Sequence, residues 1–256
     1  MSQLDSHSIQ VNHPMTRTES YYGPDSAKRA GRIRALFDRI APRYDLINDL
    51  QSFGLHRMWK RKLLDLASPQ PSDVALDVCC GTGDITVALG RKAGQVYGVD
   101  FSEGMLELAR QRTSDPTTRF IEGDALKLPF EDRSFDLVTI AYGLRNLVGF
   151  EDGIDELCRV LKPGGRLYVL DFGKPDQKMW RSFYFTYLEW VVPLFGKVFC
   201  GDSAAYRYIL ESLRHYPAQQ GVCQAFQSRG LESVSLHSFL GGVMAINGAK
   251  KAKEPC

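Results

Sequence analysis

From Val74 onward the chain alternates short apolar runs with segments of helical spacing: VALDVC (74–79), QVYGVD (95–100), RFIEG (119–123), FDLVTIAY (135–142) and RLYVLDF (166–172). Apolar runs of about four to eight residues between polar turns predict buried strands. Their alternation with helices predicts a parallel sheet covered on both faces. Near the C-terminus, LESVSLHSF and GGVMAINGAK, joined by a short turn, predict a terminal antiparallel hairpin at the sheet edge. The pattern is α/β, with a mostly parallel sheet of seven strands.

Upstream the period changes. Ile33, Leu36, Phe37, Ile40, Tyr44, Leu46, Ile47 and Leu50 recur at helical spacing, and Trp59, Leu63 and Leu64 continue it, which predicts a helical N-terminal cap over 26–68. Residues 1–25 are polar and aperiodic, as expected of a poorly ordered tail. Residues 173–230 form an insertion much longer than one crossover needs, aromatic from Trp180 to Tyr208. Those aromatics are either the core of extra helices or a lid that makes an apolar pocket or docks on a membrane. The whole of 26–256 reads as one domain.

Composition narrows the class without fixing the function. Hydrophobic content of 44%, charged content of 24% and a net charge of +2 describe a chain that collapses normally. Near-neutral charge with an apolar insertion argues against nucleic acid as a partner. Six cysteines occur with no C-x-x-C and no histidine at ligand spacing, so no metal site is expected. The N-terminus lacks an export pattern and apolar stretches such as 190–195 are far too short to span a bilayer, so the expected location is cytoplasmic.

Candidate chemistry gathers at the strand ends. DVCCGTGD (77–84) puts Asp77 at the end of the first strand, then Gly81, Thr82 and Gly83, with a helix starting near Asp84. Glycines there let a ligand approach the backbone. A phosphate loop is excluded because no Gly-Lys-Ser/Thr follows, and Asp84 at a helix start suits a cation better than a pyrophosphate. The second strand ends in Asp100, an acid suited to both hydroxyls of a ribose. The third ends in GDA, offering Asp124 and Ala125 to an adenine edge. Each acid alone reads as a helix cap or solvated carboxylate; at successive strand ends they outline one crevice.

LDVCCGTGD, GVDFSEGML, GDALKLPF, SFDLVTIAYGLRN and RVLKPGGRLYVLDF together resemble the successive motifs of Rossmann-like class I S-adenosylmethionine-dependent methyltransferases, and more narrowly the ubiquinone/menaquinone biosynthesis C-methyltransferase family. The resemblance runs from about Phe37 to Lys250 and includes IAPRYDLIN and YRYILESLRHYP. It implies S-adenosylmethionine as cofactor, its methionine end over Cys80 to Gly83, its ribose on Asp100 beside Phe101 and Met105, and its adenine on Asp124 and Ala125. Ala141 and Tyr142 would line the methyl-donor side. Some members carry a serine at Ala141, and Cys79 stands where class I enzymes usually have the first glycine of the turn.

The resemblance further implies C-methylation of a prenylated quinol, demethylmenaquinol before a benzoquinol. In-line methyl delivery is mostly positioning of two bound partners, while a developing phenolate needs a cation. Arg145 and Asn146 of GLRN are the expected catalytic pair, with a structural pair bonding loop carbonyls as the alternative. Tyr44 and Asp45 are the weaker candidates for closing the site. A prenyl tail would use the aromatic insertion, and the +5 excess of 11 Lys/Arg over 6 Asp/Glu in residues 1–62 favours an anionic membrane surface. A second copy or a quinone-synthesis complex completes the expected partners.

Overall fold

Strands that are buried on both faces read as unbroken apolar runs, and the computed structural model, which describes residues 26–191 and 204–253, bears this out for three adjacent strands. β1 (Val74–Val78), β2 (Gln95–Asp100) and β4 (Phe135–Ala141) are buried along most of their length. With β3 (Thr118–Glu122), β5 (Leu161–Phe172), β6 (Leu231–Phe239) and β7 (Met244–Lys251) they form one sheet in the order β3-β2-β1-β4-β5-β7-β6. Pairing is parallel from β3 to β5, and β7 runs antiparallel to both of its neighbours. The terminal hairpin therefore joins the sheet through β7, which lies between β5 and β6 and leaves β6 at the edge.

The strand order reverses at β1, whose neighbours are β2 on one side and β4 on the other. A crevice outside the carboxyl ends of the strands opens at such a switch point. This is the position where Asp77, Asp100 and Ala141 meet.

One layer of helices includes α3 (Leu55–Ala67) and α4 (Asp84–Gly90), whose Trp59, Leu63, Ile85 and Leu89 pack with Ala75, Val96 and Leu137 from the sheet. The other face is covered by α6 (Phe150–Val160) and two helices of the insertion, and α1 (Ser26–Ile40) packs at its edge against α5 (Glu103–Arg110). α2 (Tyr44–Ser52) follows α1 after a single 3-10 turn, and α5 follows β2. The predicted 26–68 cap thus divides: α3 belongs to a sheet layer, while α1 and α2 roof the crevice.

The insertion divides likewise. α7 (Lys178–Thr186) runs into a π-helical turn at Tyr187–Val191, and α8 (Ala204–His215) and α9 (Ala218–Ser228) follow. α9 buries Val222, Ala225 and Phe226 and carries Gln219, whose carbonyl accepts from Asn247 Nδ2 of β7 at 2.9 Å, so it is a layer helix and not part of a lid. The expected tail over 1–25, and the aromatics Phe195 and Phe199, lie outside the described residues.

Candidate active site

The glycine turn is fastened to the end of β2 by two hydrogen bonds. Cys80 N–H donates to the Val99 carbonyl at 3.0 Å, and Gly81 N–H donates to Asp100 Oδ2 at 2.8 Å. Asp100 Oδ1 accepts from Ser102 N–H at 3.0 Å, so both oxygens are held by backbone. Burial raises this carboxyl to about 6 against the opposing backbone donors. Asp77 is raised to about 6 by the same cause, although Thr86 Oγ1 (2.7 Å) and Thr139 Oγ1 (2.9 Å) donate to it.

Asp100 lines a cavity of about 110 Å³ together with Gly81, Phe101, Met105, Asp124 and Ala125. Ala141, Tyr142 and Asn146 close it from the β4 side, and Phe37 and Tyr44 come down from the roof. A smaller space of about 30 Å³ continues it past Asp77, Cys80, Thr82 and Asp84. Most of the expected cofactor residues are thus brought together. Gly83 is the exception: a Cβ there would stand 3.0 Å from Ala109 Cβ and from Phe120, and its φ is +84°, so it is required for close packing and for the turn.

The cation expected near Asp84 is supplied by the protein. Lys60 Nζ lies 2.8 Å from Asp84 Oδ2, and Arg112 pairs with both Asp84 and Asp45. Asp45 also accepts from Thr82 Oγ1 at 3.0 Å. These bonds tie α2 onto the glycine turn, and Asp45 lines none of the three cavities; it fastens the roof instead of meeting an acceptor. Arg29, which donates to the Leu147 carbonyl at 3.1 Å, and Asp38, which accepts from Ser102 Oγ, fasten α1 in the same way.

Neither Cys79 nor Cys80 is poised to react, since burial raises both thiols well above their ordinary range and keeps them protonated. Cys79 has φ +55°, the left-handed conformation glycine adopts without cost, which explains why a glycine is usual there. A Cβ on Gly143 would stand 2.5 Å from Cys79 Cβ, so the glycine of YGLRN is fixed by the cysteine it touches.

Across a partition formed by Phe37, Tyr44 and Tyr142 lies a larger chamber of about 320 Å³, walled by Leu36, Ile40, Trp59, Phe172, Tyr184 and Leu188 among others. Phe37, Tyr44 and Tyr142 line both it and the cofactor-side cavity, so the two spaces share one wall. The Tyr142 and Tyr184 hydroxyls and Trp59 Nε1 are buried in the chamber wall with no hydrogen-bond partner among the described residues. Each such group costs about 1–3 kcal/mol if left unsatisfied.

Arg145 faces the chamber, whereas Asn146 faces the cofactor-side cavity. Both side chains donate to the Tyr142 carbonyl, at 2.6 and 3.0 Å. Arg145 Nη1 also lies 2.9 Å from Asp171 Oδ1, its backbone N–H donates to Asp171 Oδ2 at 3.1 Å, and its guanidinium sits 4.7 Å from the Phe172 ring centroid. Burial raises Asp171, with Arg145 pulling it back. The carbonyl-bonding alternative therefore describes part of what this pair does, while the guanidinium of Arg145 is also held beside the chamber.

Sequence reasoning passed over Asp171, Lys60, Arg112 and Tyr184. Asp171 carried the signal used for Asp100, an acid closing an apolar strand. Lys60 and Arg112 looked like ordinary helix-surface cations, and Tyr184 was one aromatic among ten between Trp180 and Tyr208.

Known proteins align with this arrangement. Residues 25–251 match the model of the ubiE/COQ5 methyltransferase family. The chain is 39% identical to the ubiquinone/menaquinone biosynthesis C-methyltransferase UbiE of Stutzerimonas stutzeri, over 89% of this chain and 91% of that one. It is 36% identical to a demethylmenaquinone methyltransferase of Staphylococcus aureus, over 90% and 97%. Solved structures share the fold at low identity. A SAM-dependent methyltransferase from Aquifex aeolicus has TM-score 0.54 at 18% identity, covering 75% of this chain and 88% of that one. Phosphoethanolamine N-methyltransferase 2 of Haemonchus contortus, in complex with S-adenosyl-L-methionine, has TM-score 0.57 at 16% identity, covering 76% and 52%. With its fold, its strand-end crevice and these relatives in agreement, the chain belongs to the ubiE/COQ5 methyltransferase family.

Proposed function

We propose that the protein transfers a methyl group from S-adenosylmethionine to a ring carbon of a prenylated quinol, demethylmenaquinol first and a benzoquinol second. The observation that carries this reading is the shared wall of Phe37, Tyr44 and Tyr142 between an acid-lined cavity and an apolar chamber. A cationic donor suits the first and a quinol ring the second.

The residues fit the cofactor. Asp100 offers acceptor-only oxygens to a vicinal diol, and Asp124 and Ala125 border the space for an adenine. Lys60, the one cation among the described residues lining the two cofactor-side cavities, would meet the cofactor's carboxylate, held in place by Asp84. When bound, S-adenosylmethionine supplies a methyl group on a sulfonium. Arg145 stabilises negative charge on the quinol oxygen next to the reacting carbon, in a chamber whose apolar walls strengthen that interaction. Asp171 and the Tyr142 carbonyl fix the guanidinium, and Asn146 steadies the same carbonyl. Tyr44 and Tyr142 keep water from the junction.

The decisive assay gives the purified protein labelled S-adenosylmethionine with reduced demethylmenaquinol, demethylated benzoquinol and tRNA in parallel. C-methylated naphthoquinol is expected; methylation of tRNA alone overturns the reading.

A prenyl tail leaves the chamber across an apolar rim. Phe53 (75% exposed) and Phe183 (62%), with Trp180 stacked on Phe183 at 5.4 Å, line the chamber, and Met179 (81%) is exposed beside them. No helix among the described residues is long and apolar enough to cross a membrane. This rim and the basic N-terminal helices support peripheral contact with an anionic bilayer. Sedimentation with anionic vesicles is expected at low salt, weakened by Phe53→Ser with Phe183→Ser; an unbound wild-type protein removes the idea.

A further inference from the structure

The chamber holds more polar capacity than one reacting oxygen needs. Arg145 serves the oxygen beside the carbon that takes the methyl group, yet a quinol carries a second oxygen across the ring. Tyr184, on α7, is 5% exposed, and its hydroxyl has no hydrogen-bond partner among the described residues. Its ring packs edge-on to Phe185 at 5.7 Å, which limits how far the hydroxyl can swing. Tyr184 lines the same chamber as Arg145. Trp59 Nε1 and the Tyr142 hydroxyl are also without a partner there, but an indole only donates and Trp59 packs in the core on the other face of the sheet, while Tyr142 stands in the wall shared with the cofactor-side cavity. A hydroxyl both donates and accepts, and so suits the O–H of a reduced quinol.

We propose that Tyr184 hydrogen-bonds the second ring oxygen of the quinol, para to the one beside the reacting carbon, and so sets which ring carbon faces the methyl donor. This rests on the quinol reading above. A ring gripped only at one oxygen turns about that contact, whereas a ring held at both presents a fixed edge. A site that bonds a hydroxyl also rejects an analogue lacking it, because its own polar group is then left unpaired. Tyr184 acts here as a positioning and specificity residue.

Binding to protein saturated with S-adenosylhomocysteine tests this with two ligands, 2-prenyl-1,4-naphthoquinol and 3-prenyl-1-naphthol. The second keeps the hydroxyl beside the reacting carbon and lacks the para one. Wild-type protein is expected to bind the quinol about tenfold more tightly than the naphthol, a difference of about 1.4 kcal/mol. Tyr184→Phe should weaken the quinol by about tenfold and leave the naphthol within about twofold, with S-adenosylhomocysteine affinity unchanged as the check on folding. Equal weakening of both ligands, or an unchanged quinol, overturns the assignment. If wild-type protein binds S-adenosylhomocysteine but neither ring compound, the quinol reading falls and takes the assignment with it.

Discussion

The cofactor-side cavity and the apolar chamber share a wall but are built in opposite ways. The first is assembled from strand ends met in chain order, at Asp77, Asp100, Asp124 and Ala141, and backbone hydrogen bonds fix its shape. The second draws on α1, α2, α3, the end of β5, α7 and the turn before β7, and side-chain packing fixes its shape. Geometry dictated by backbone leaves a compact signature in sequence; geometry dictated by packing between distant segments does not.

Removing Arg145 puts the sharpest test to this division. Arg145→Ala is expected to lower kcat by about 10²–10³-fold, the range for losing one preorganised charge-stabilising group, while S-adenosylhomocysteine affinity moves less than about threefold. Steady-state kinetics and calorimetry read the two effects, and an equal loss in both would mean the chambers are one unit. Asp100→Ala is the mirror test. Loss of two charge-assisted hydrogen bonds should weaken S-adenosylhomocysteine by about 100-fold while leaving quinol binding intact.

The contact behind the partition gives a smaller effect. Gly143→Ala drives a Cβ into Cys79 and should destabilise the fold by about 1–3 kcal/mol in denaturant melts. Adding Cys79→Gly should restore most of that loss, whereas no recovery would mean the strain lies elsewhere. The smallest effect is on pH. Asp100 must be ionised to accept from a diol, and its carboxyl stands at about 6, so S-adenosylhomocysteine affinity should fall about tenfold between pH 7.5 and pH 5. Asp100→Asn should flatten that slope. Folding moves the other way: the raised carboxyls of Asp77 and Asp100 contribute stability that is present at acid pH and lost as pH rises through 6. A lower affinity at pH 5 with an undiminished melting temperature separates titration at the site from unfolding.

The same contrast governs how much could be read in advance. Short apolar runs and strand-end acids marked out the sheet, the crevice and most of the cofactor-side residues, because a ligand touching backbone demands glycine and acid at set places. The period of residues 26–68 predicted helices correctly but not that α3 joins a sheet layer while α1 and α2 form the roof. Asp45 was expected with Tyr44 to close the site, and what could not be read in advance is how: neighbours on a helix point in different directions, and its carboxylate reaches Thr82 and Arg112 while Tyr44 lines the cavities. Tyr184 was unreadable as more than an aromatic, since its distinction is an unanswered hydroxyl that appears only when the wall is complete.

The touch between residues 79 and 143 also orders the paths by which this sequence can change. While Cys79 stands, any side chain at 143 meets its Cβ at 2.5 Å and costs stability. Once 79 becomes glycine, the nearest remaining obstacle to a methyl group is Ile140 Cγ1 at 3.2 Å, which a few tenths of an ångström relieve. The same substitution at 143 therefore costs much more before a change of 79 to glycine than after it.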